Sequence, residues 1–548
     1  MKSMMKNKYI TASAMLLVSS VVVKLISAFY KIPLTAFIGA QGRGYFAVAY
    51  NLCLPIHAIT MGAFPVALTK LVSAYDAKGE YDKIYSLKYA SKKLFFITGV
   101  AGTAAMILFA KPYSNLISSS PDSIYTILAL SPSVFFSCLC AGRRAYAEGF
   151  LDMKLTSFSQ LIEVASKMLF GLIFARISMT YLYNEYLNTG YIFGVSVINE
   201  KQALSQIYPL TSAFSMLGAT FGSILSYTFS LIYDYSKYRI YRPKGDEIKS
   251  AYNEMLTFSV SLVGATVIQS IAGFIDSSSI QYCLSRCSEE ALKMQYTFNY
   301  EDIHTYVLGI YASALDFKNL IPSIVMSLGV TAVPAVSSAY ENSGRGFSLL
   351  VTSIFKYSMI ISCFGALVLL LYNHEILDIL YSKSNPDICI NAPKIMWWFG
   401  LTVIPCSVAT TVIYSVQALG FAKASIPSFI ISSLLRVFLN FILVSNDNIN
   451  IIGAAISNFF GYFLIVIWNI IIITRKTHVK IEYGKAFFNP MLCAVITYFA
   501  VDYLKIKNFF AFGNYIELII SAAICLFSFC VLLFLTKTLS LKENLVRK

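Results

Sequence analysis

The chemistry carried by this sequence lies in charged side chains that interrupt long apolar segments, as Lys24 does within VVVKLISAFYKIPL (residues 21–34). Such a charge costs at least about 2.5–3.5 kcal/mol at the centre of a bilayer, so we expect it to face a partner or a water-filled cavity. The predicted cavity set consists of Lys24, Glu163, Lys167, Asp316, Lys318 and Arg436. Cations outnumber acids in this set, and excess positive charge in a medium of low dielectric favours a phosphate-bearing ligand.

Some of these positions also allow simpler interpretations. Lys24 lies about 21 Å into the first apolar segment, and its four methylenes could carry the amine to the outer interface. Glu163 and Lys167 are spaced i,i+4, which would let them neutralise each other on one helix. Asp316 and Lys318 are two residues apart and point in different directions, so their partners must come from other helices or from a ligand.

Long membrane helices are needed to position these residues. The chain has 548 residues, of which 57% are hydrophobic and 13% charged, and its mean hydropathy is +0.66. Soluble domains carry about 25% charged residues, so the composition indicates an integral membrane protein. Because backbone groups that face lipid must be hydrogen-bonded within the segment, we expect an all-α protein. About 14 transmembrane helices are predicted, at residues 10–33, 44–69, 92–111, 122–145, 155–179, 206–233, 253–276, 304–338, 349–373, 391–418, 422–445, 450–474, 486–504 and 513–536.

Basic residues are distributed unevenly among the loops. One alternating set of loops, which includes Lys88 and Lys92, has more than twice as many lysines and arginines as the opposite set. Since cytoplasmic loops are rich in these residues, both termini are predicted to be cytoplasmic. The bias accounts for most of the net charge of +15 and argues against nucleic acid as a partner. The cytoplasmic mouth is marked by Arg143, Arg144 and Glu148. These residues either set the topology and contact lipid head groups, or they capture a substrate.

The two halves of the chain resemble each other. The stretch GRGYFAVAYNLCLPIHAITMG (residues 42–62) aligns with GIYASALDFKNLIPSIVMSLG (residues 309–329) at an offset of 267, and GFLDMKLTSF aligns with GFAKASIPSF at an offset of 271. These matches predict two six-helix lobes, residues 10–235 and 250–475, in a parallel repeat with a pseudo-two-fold axis along the membrane normal. Residues 486–536 would add two extra C-terminal helices.

Motifs for other chemistries do not occur in the sequence. There is no GxxxxGK[ST] phosphate-binding loop, so we do not expect ATP to power the protein directly. The eleven cysteines lie mostly in apolar runs and the four histidines show no zinc spacing, so neither a metal site nor a cofactor is expected. No catalytic constellation occupies a sizeable loop, and we expect the protein not to be an enzyme. The energy source is open: it is either a coupling ion, Na⁺ or H⁺, or the membrane potential.

Four stretches carry a family resemblance: KIPLTAFIGAQGRGYFAVAY, AITMGAFPVALTKLVSAY, RRAYAEGFLDMKLTSFSQLIEVASK and NLIPSIVMSLGVTAVPAVSSAY. They resemble the polysaccharide-biosynthesis branch of the multidrug/oligosaccharidyl-lipid/polysaccharide (MOP) exporter superfamily, and within it the stage V sporulation protein B group, which is related to the lipid II flippases. The resemblance extends over about residues 10–535. Lys24 falls where lipid II flippases have an arginine, whereas Tyr30 and Lys31 replace further charged residues. A charged pair of that group falls near Asp316 and Lys318.

The resemblance implies a flippase that moves an undecaprenyl-pyrophosphate-linked saccharide, a precursor of peptidoglycan or of another envelope polysaccharide, from the inner to the outer leaflet. It implies alternating access in a bacterial plasma membrane, a lipid-tail groove in residues 486–536, a monomeric state, and cell-envelope synthesis enzymes as partners. Three alternatives stay open. They are a cation-coupled multidrug extruder, a membrane polysaccharide polymerase and a structural sporulation protein.

Overall fold

Helices form nearly all of the described chain in this computed structural model. The structure describes residues 2–62, 64–237, 244–296, 302–341, 346–506 and 514–539, so most of the C-terminal end that is predicted to be cytoplasmic lies outside the described residues. Contacts divide the chain into two compact units, unit 1 (Met1–Ile310) and unit 2 (Tyr311–Lys548). This boundary falls inside a helix, and the six-helix lobes inferred from the repeats stay a prediction.

Unit 1 is built from long helices that pack side by side. Its described helices are α1 (Lys2–Met61), α2 (Phe64–Lys78), α3 (Tyr81–Pro112), α4 (Ser123–Gly149), α5 (Met153–Thr189), α6 (Glu200–Lys237), α7 (Gly245–Leu284), α8 (Glu289–Gln295) and the start of α9 (Ile303–Glu341). A π-helical turn, Tyr113–Ile117, extends α3. Helix α6 packs against both α4 and α5, while α3 packs against α4 and α1 against α5. Each of the helices α4, α5 and α6 buries several serine and threonine side chains.

Unit 2 contains the remainder of α9 and a second group of helices. They are α10 (Gly346–Leu371), α11 (Asn373–Tyr381), α12 (Pro386–Ala418), α13 (Ala422–Leu443), α14 (Ile452–Thr477), α15 (Asn489–Ile506) and α16 (Asn514–Leu535), with a π-helical turn at Gly484–Phe488. Helix α12 packs against α10 and α14, and α13 packs against α14. Buried side chains such as Phe355, Val412 and Phe529 form one continuous apolar core.

The apolar helices confirm a multi-pass membrane protein. Among the described residues, eleven helices are long and apolar enough to cross a bilayer, and the first of them covers Val18–Lys78. Every predicted span overlaps an observed helix, although α5 and α7 are not among those eleven. The count of fourteen spans therefore stays a prediction.

Helix α1 contains a break at Gly39 that lies between the first two predicted spans. Its φ of 65° and ψ of −179° are conformations that a glycine adopts without steric cost, and a Cβ at this position would stand 2.9 Å from the Tyr208 ring. Just beyond the break, α1 approaches the start of α9 very closely, since a Cβ on Gly309 would meet the carbonyl oxygen of Ala40. Two glycines thus permit the turn and the close contact that follows it.

A small hairpin departs from the expected all-α architecture. Strands β1 (Tyr191–Ile192) and β2 (Val195–Ser196) pair antiparallel, with Tyr191 opposite Ser196. The connecting residues Phe193 and Gly194 both have positive φ, as the turn of a two-residue hairpin requires. The hairpin packs through Ile192 on α5 and α6 and leaves the helical scaffold intact.

The first turn of α9 is capped by a carboxylate outside the spanning segment. Asp302 accepts a hydrogen bond from the Thr305 backbone N–H at 3.0 Å, and the Thr305 hydroxyl donates to Ser120 at 2.8 Å. Burial raises the pKa of the Asp302 carboxyl, and the hydrogen bonds from Thr305 oppose that shift without cancelling it. The charged form of Asp302 therefore costs the folded state free energy.

We expect Asp302→Asn to stabilise the protein increasingly as pH rises and to have little effect near pH 4. Asparagine keeps an oxygen for the Thr305 N–H but has no charge to desolvate. The folded-state pKa of Asp302 is raised, so the wild-type protein has its full stability below the unfolded pKa of about 3.9. The wild type loses stability as pH rises through the folded pKa, whereas the asparagine variant does not. The folded-to-unfolded ratio should favour the variant by up to about tenfold for each unit of the shift. Thermal melts of both proteins across this pH range measure the effect, and a difference that does not vary with pH would contradict it.

Candidate functional site

Arg144 and Glu163 form an ion pair in unit 1 that joins two groups predicted separately. The Arg144 Nη2 donates to Glu163 Oε2 at 2.7 Å and to Ser226 Oγ at 2.9 Å, while its Nε donates to Ser159 Oγ at 2.7 Å. One guanidinium thereby ties α4 to both α5 and α6. The sequence interpretation assigned Arg144 to the cytoplasmic mouth and Glu163 to the cavity, and the structure brings the two into one network.

Lys167, one turn beyond Glu163 on α5, is held by tyrosines. Its Nζ donates to the Tyr50 hydroxyl at 2.5 Å and lies 4.8 Å from the centre of that ring. The ring centre of Tyr30 lies 5.8 Å from the same amine. Within the described ranges Lys167 makes no ion pair, because its i,i+4 neighbour Glu163 is bound to Arg144. The two residues therefore make no direct ion pair with each other in this structure.

In unit 2, Lys318 and Arg436 converge on one aromatic ring. The Lys318 Nζ and the Arg436 guanidinium carbon each lie 5.3 Å from the centre of the Tyr462 ring. Lys318 is 3% exposed and Arg436 is 8% exposed. Arg436 Nη1 also makes a long hydrogen bond, 3.5 Å, to Asn458 Oδ1. Because a desolvated cation–π contact is worth about 2 kcal/mol, the Tyr462 ring offsets part of the cost of burying two cations.

The remaining members of the predicted cavity set lie on α1 and α9. Lys24 is half-buried on α1, and Asp316 is half-buried on α9, two residues before the buried Lys318. Unit 1 holds Lys24, Glu163 and Lys167, and unit 2 holds Asp316, Lys318 and Arg436. In unit 2 the structure brings Lys318 and Arg436 together at Tyr462, and a shared role for all six residues stays a prediction.

The two other mouth residues make separate contacts. Glu148 accepts a hydrogen bond from the Thr156 hydroxyl at 2.7 Å, across the short connection between α4 and α5. The Arg143 guanidinium stacks on the Tyr227 ring at 4.5 Å and lies 4.0 Å from a carboxylate oxygen of Asp234. Arg143 and Arg144 are neighbours in sequence, yet they point to different partners because consecutive residues face different sides of a helix.

The structure corrects the assignment of Lys88 to a loop, which was made from the sequence. Lys88 lies inside α3, 6% exposed, and its amine pairs with Asp234 on α6 at 2.8 Å. Helix α3 begins at Tyr81, well before the predicted span at residue 92. Hydropathy misses this part of the helix, since a buried ion pair lowers the apolar average while still packing inside the protein. Asp234 likewise was not among the predicted site residues.

Tyrosines are the contact partners of the predicted site cations that the sequence interpretation missed. Tyr30, Tyr50 and Tyr462 contact the cavity-set cations directly. The available signal was the aromatic content of 15%, because cations inside apolar helices often lie over aromatic faces. That signal does not identify the pairs, since Lys167 and Tyr50 come from helices far apart in the chain.

The arrangement provides fixed positive charge next to hydroxyl and amide groups, and such surroundings suit an anionic or sugar-bearing ligand. Amines and guanidinium groups donate charge-assisted hydrogen bonds to phosphate, and tyrosine hydroxyls can donate or accept. In the part of the chain that the structure describes, no group of three or more His, Cys, Asp or Glu residues could hold a metal ion. Binding and positioning are the chemistry that these side chains can carry out.

The fold has counterparts among solved structures. Lipid II flippase MurJ in an inward closed conformation matches with a TM-score of 0.69 and 17% identity, covering 97% of this chain and 99% of that chain. An inward-facing MATE multidrug resistance transporter of the MOP superfamily matches with a TM-score of 0.61 and 13% identity, covering 84% and 98%. The chain therefore shares its fold with these two solved structures.

Two proteins of Bacillus subtilis (strain 168) are similar in sequence over most of the chain. Stage V sporulation protein B is 20% identical over 515 residues, which cover 93% of this chain and 91% of the relative. Lipid II flippase MurJ is 21% identical over 492 residues, which cover 86% and 83%. No family model matches the chain. The chain is similar to these two proteins along most of its length, and its apolar helices make it a multi-pass membrane protein.

Proposed function

We propose that this protein moves an undecaprenyl-pyrophosphate-linked saccharide, a precursor of peptidoglycan or of another envelope polysaccharide, from the inner to the outer leaflet by alternating access. Homology to a lipid II flippase and to stage V sporulation protein B over more than four fifths of the chain supports the class of cargo. The step makes and breaks no covalent bond, so the work of the protein is to bind a charged head group and carry it past the hydrocarbon core.

The observation that carries the proposal is that Glu163 and Lys167 bind different partners. Glu163 is engaged by Arg144, whereas Lys167 donates to the Tyr50 hydroxyl. A phosphate oxygen can take the place of that hydroxyl, and the new hydrogen bond joins two charged groups, whereas the bond to Tyr50 joins a charged donor to a neutral acceptor. No carboxylate has to be displaced from Lys167 for this exchange.

The same charges disfavour a cationic cargo, which is the alternative suggested by the MATE-like fold. A drug cation needs an acidic binding site, and here Glu163 is paired while lysine and arginine predominate in the predicted set. Moving a cation next to Lys167 in a low-dielectric interior would cost free energy through like-charge repulsion. A cation-coupled multidrug extruder is therefore the second candidate function.

We further propose that both termini face the cytoplasm, that the protein acts as a monomer beside cell-envelope synthesis enzymes, and that Na⁺, H⁺ or the membrane potential supplies the drive. The uneven distribution of basic loop residues supports the orientation.

Expression of the chain in a bacterium depleted of its own lipid II flippase activity tests the cargo. We expect the lipid-linked precursor to become accessible to a membrane-impermeant probe at the outer leaflet, with no change in efflux of a cationic dye. Dye efflux without exposure of the precursor, in cells that contain correctly inserted protein, would assign the extruder function instead.

A further inference from the structure

A second charged site lies in unit 1, away from Lys167 and its tyrosines. A cavity of about 330 Å³ opens between α3, α4 and α6, at the end of these helices that is predicted to be cytoplasmic. Its polar lining includes Lys88, Lys92, Arg143 and Asp234. None of these residues belongs to the predicted cavity set, and the transport step proposed above does not use this cavity.

The charge in this cavity is unbalanced. Asp234 is 7% exposed and is engaged by Lys88 at 2.8 Å, while the Nε of Arg143 lies 4.0 Å from the other Asp234 oxygen. That Nε donates no hydrogen bond to any described group. Lys92 lies at the exposed rim over the Tyr89 ring and pairs with no carboxylate in the described ranges. Three cations thus surround one carboxylate, which leaves a net positive site with donors available.

The other wall of the cavity is aromatic and reaches the exposed surface of α3. Phe96 lines the cavity and is 53% exposed on a membrane-spanning helix, and its ring packs edge-on against Phe135 at 5.5 Å. Phe136 continues the wall and lies 6.0 Å from the Tyr227 ring on which Arg143 stacks. A ligand that fits has an anionic group beside Arg143 and Lys92 and an apolar portion along the phenylalanines.

We propose that this cavity binds the phosphodiester head group of an anionic membrane lipid. Arg143 and Lys92 contact the phosphate, the Lys88–Asp234 pair holds α3 and α6 at the right separation, and the phenylalanines pack on the acyl chain. Basic pockets between membrane helices are suited to lipid phosphates, whereas a free ion would make no use of the aromatic wall. The site is independent of which cargo the protein transports.

Native mass spectrometry of the purified full-length protein tests this site, with retention of phosphatidylglycerol compared with retention of phosphatidylcholine. We expect selective retention of phosphatidylglycerol. Arg143→Gln should weaken it about tenfold, because the variant loses a charge-assisted hydrogen bond to the phosphate, and tenfold corresponds to about 1.4 kcal/mol. Lys92→Gln should weaken it about threefold, as fits a rim charge worth less than about 1 kcal/mol. The matched control is Lys93→Gln, which removes the same charge from the adjacent position on α3, outside the cavity lining, and should retain lipid like the wild type.

Each other outcome overturns the proposal. Equal retention of the two lipids by the wild type, or an equal loss in the Lys92→Gln and Lys93→Gln proteins, would show that only bulk charge is sensed. Binding of inorganic phosphate to the wild type without retention of phosphatidylglycerol would assign the cavity to a free ion. Lys92 is exposed, so we expect Lys92→Gln to fold even if Arg143→Gln does not. In that case the difference in phosphatidylglycerol retention between Lys92→Gln and Lys93→Gln tests the proposed site without the Arg143 variant.

Discussion

Replacing Lys167 with glutamine is expected to lower the rate at which lipid-linked precursor appears at the outer leaflet by about 30-fold or more. Glutamine can still donate a hydrogen bond to Tyr50, so the packing of α5 is retained while the charge is lost. Removing one partner of a buried charged contact costs about 2–5 kcal/mol, and each 1.4 kcal/mol corresponds to a factor of ten. The measurement is accessibility of the precursor to an impermeant probe, normalised to the amount of inserted protein.

Two variants control for the charge and for the helix. Lys154→Gln removes an exposed lysine from the first turn of the same helix and should transport like the wild type. Lys167→Arg keeps the charge and should retain most of the activity. Wild-type rates in Lys167→Gln protein that is correctly inserted would remove Lys167 from the proposed site, and a similar loss in Lys154→Gln would indicate an effect of overall charge.

The second large effect is expected on stability. Asp234→Asn should lower the free energy of unfolding by about 3–5 kcal/mol, because it leaves Lys88 charged and buried without its carboxylate. The side chains of Lys88 and Asp234 are only 7% and 10% exposed and lie 2.8 Å apart. The difference is measured by denaturant titration of both purified proteins in a neutral detergent.

An exposed ion pair of the same length provides the control. Glu289 and Lys293 also lie 2.8 Å apart, but their side chains are 58% and 44% exposed, and Glu289→Gln should cost less than about 1 kcal/mol. The double variant Lys88→Met with Asp234→Leu should recover part of the stability lost by Asp234→Asn, because it removes the buried Lys88 charge but leaves Arg143 without the carboxylate that lies 4.0 Å away. A small effect of Asp234→Asn, equal to that of Glu289→Gln, would mean that water reaches Lys88 and would contradict the burial argument.

Much of the helical architecture could be predicted because it depends on local composition. Each predicted span overlaps an observed helix, and the break at Gly39 lies between the first two of them. The boundaries were less predictable. Helix α3 starts about three turns earlier than its apolar segment, since Lys88 and its neighbours are buried by partners on other helices.

Hydropathy and the distribution of charge were sufficient to predict a multi-pass helical membrane protein with basic side chains inside its spans, because the transfer free energy of a segment depends on that segment alone. The partners of those side chains depended on how distant helices are rotated and aligned against one another. Arg144 reaches across to Glu163 and Ser226, Lys167 meets Tyr50 instead of its own neighbour, and Lys88 finds Asp234 on α6. No pattern along a single helix encodes such contacts, since each one is formed by two surfaces that come together only when the chain folds.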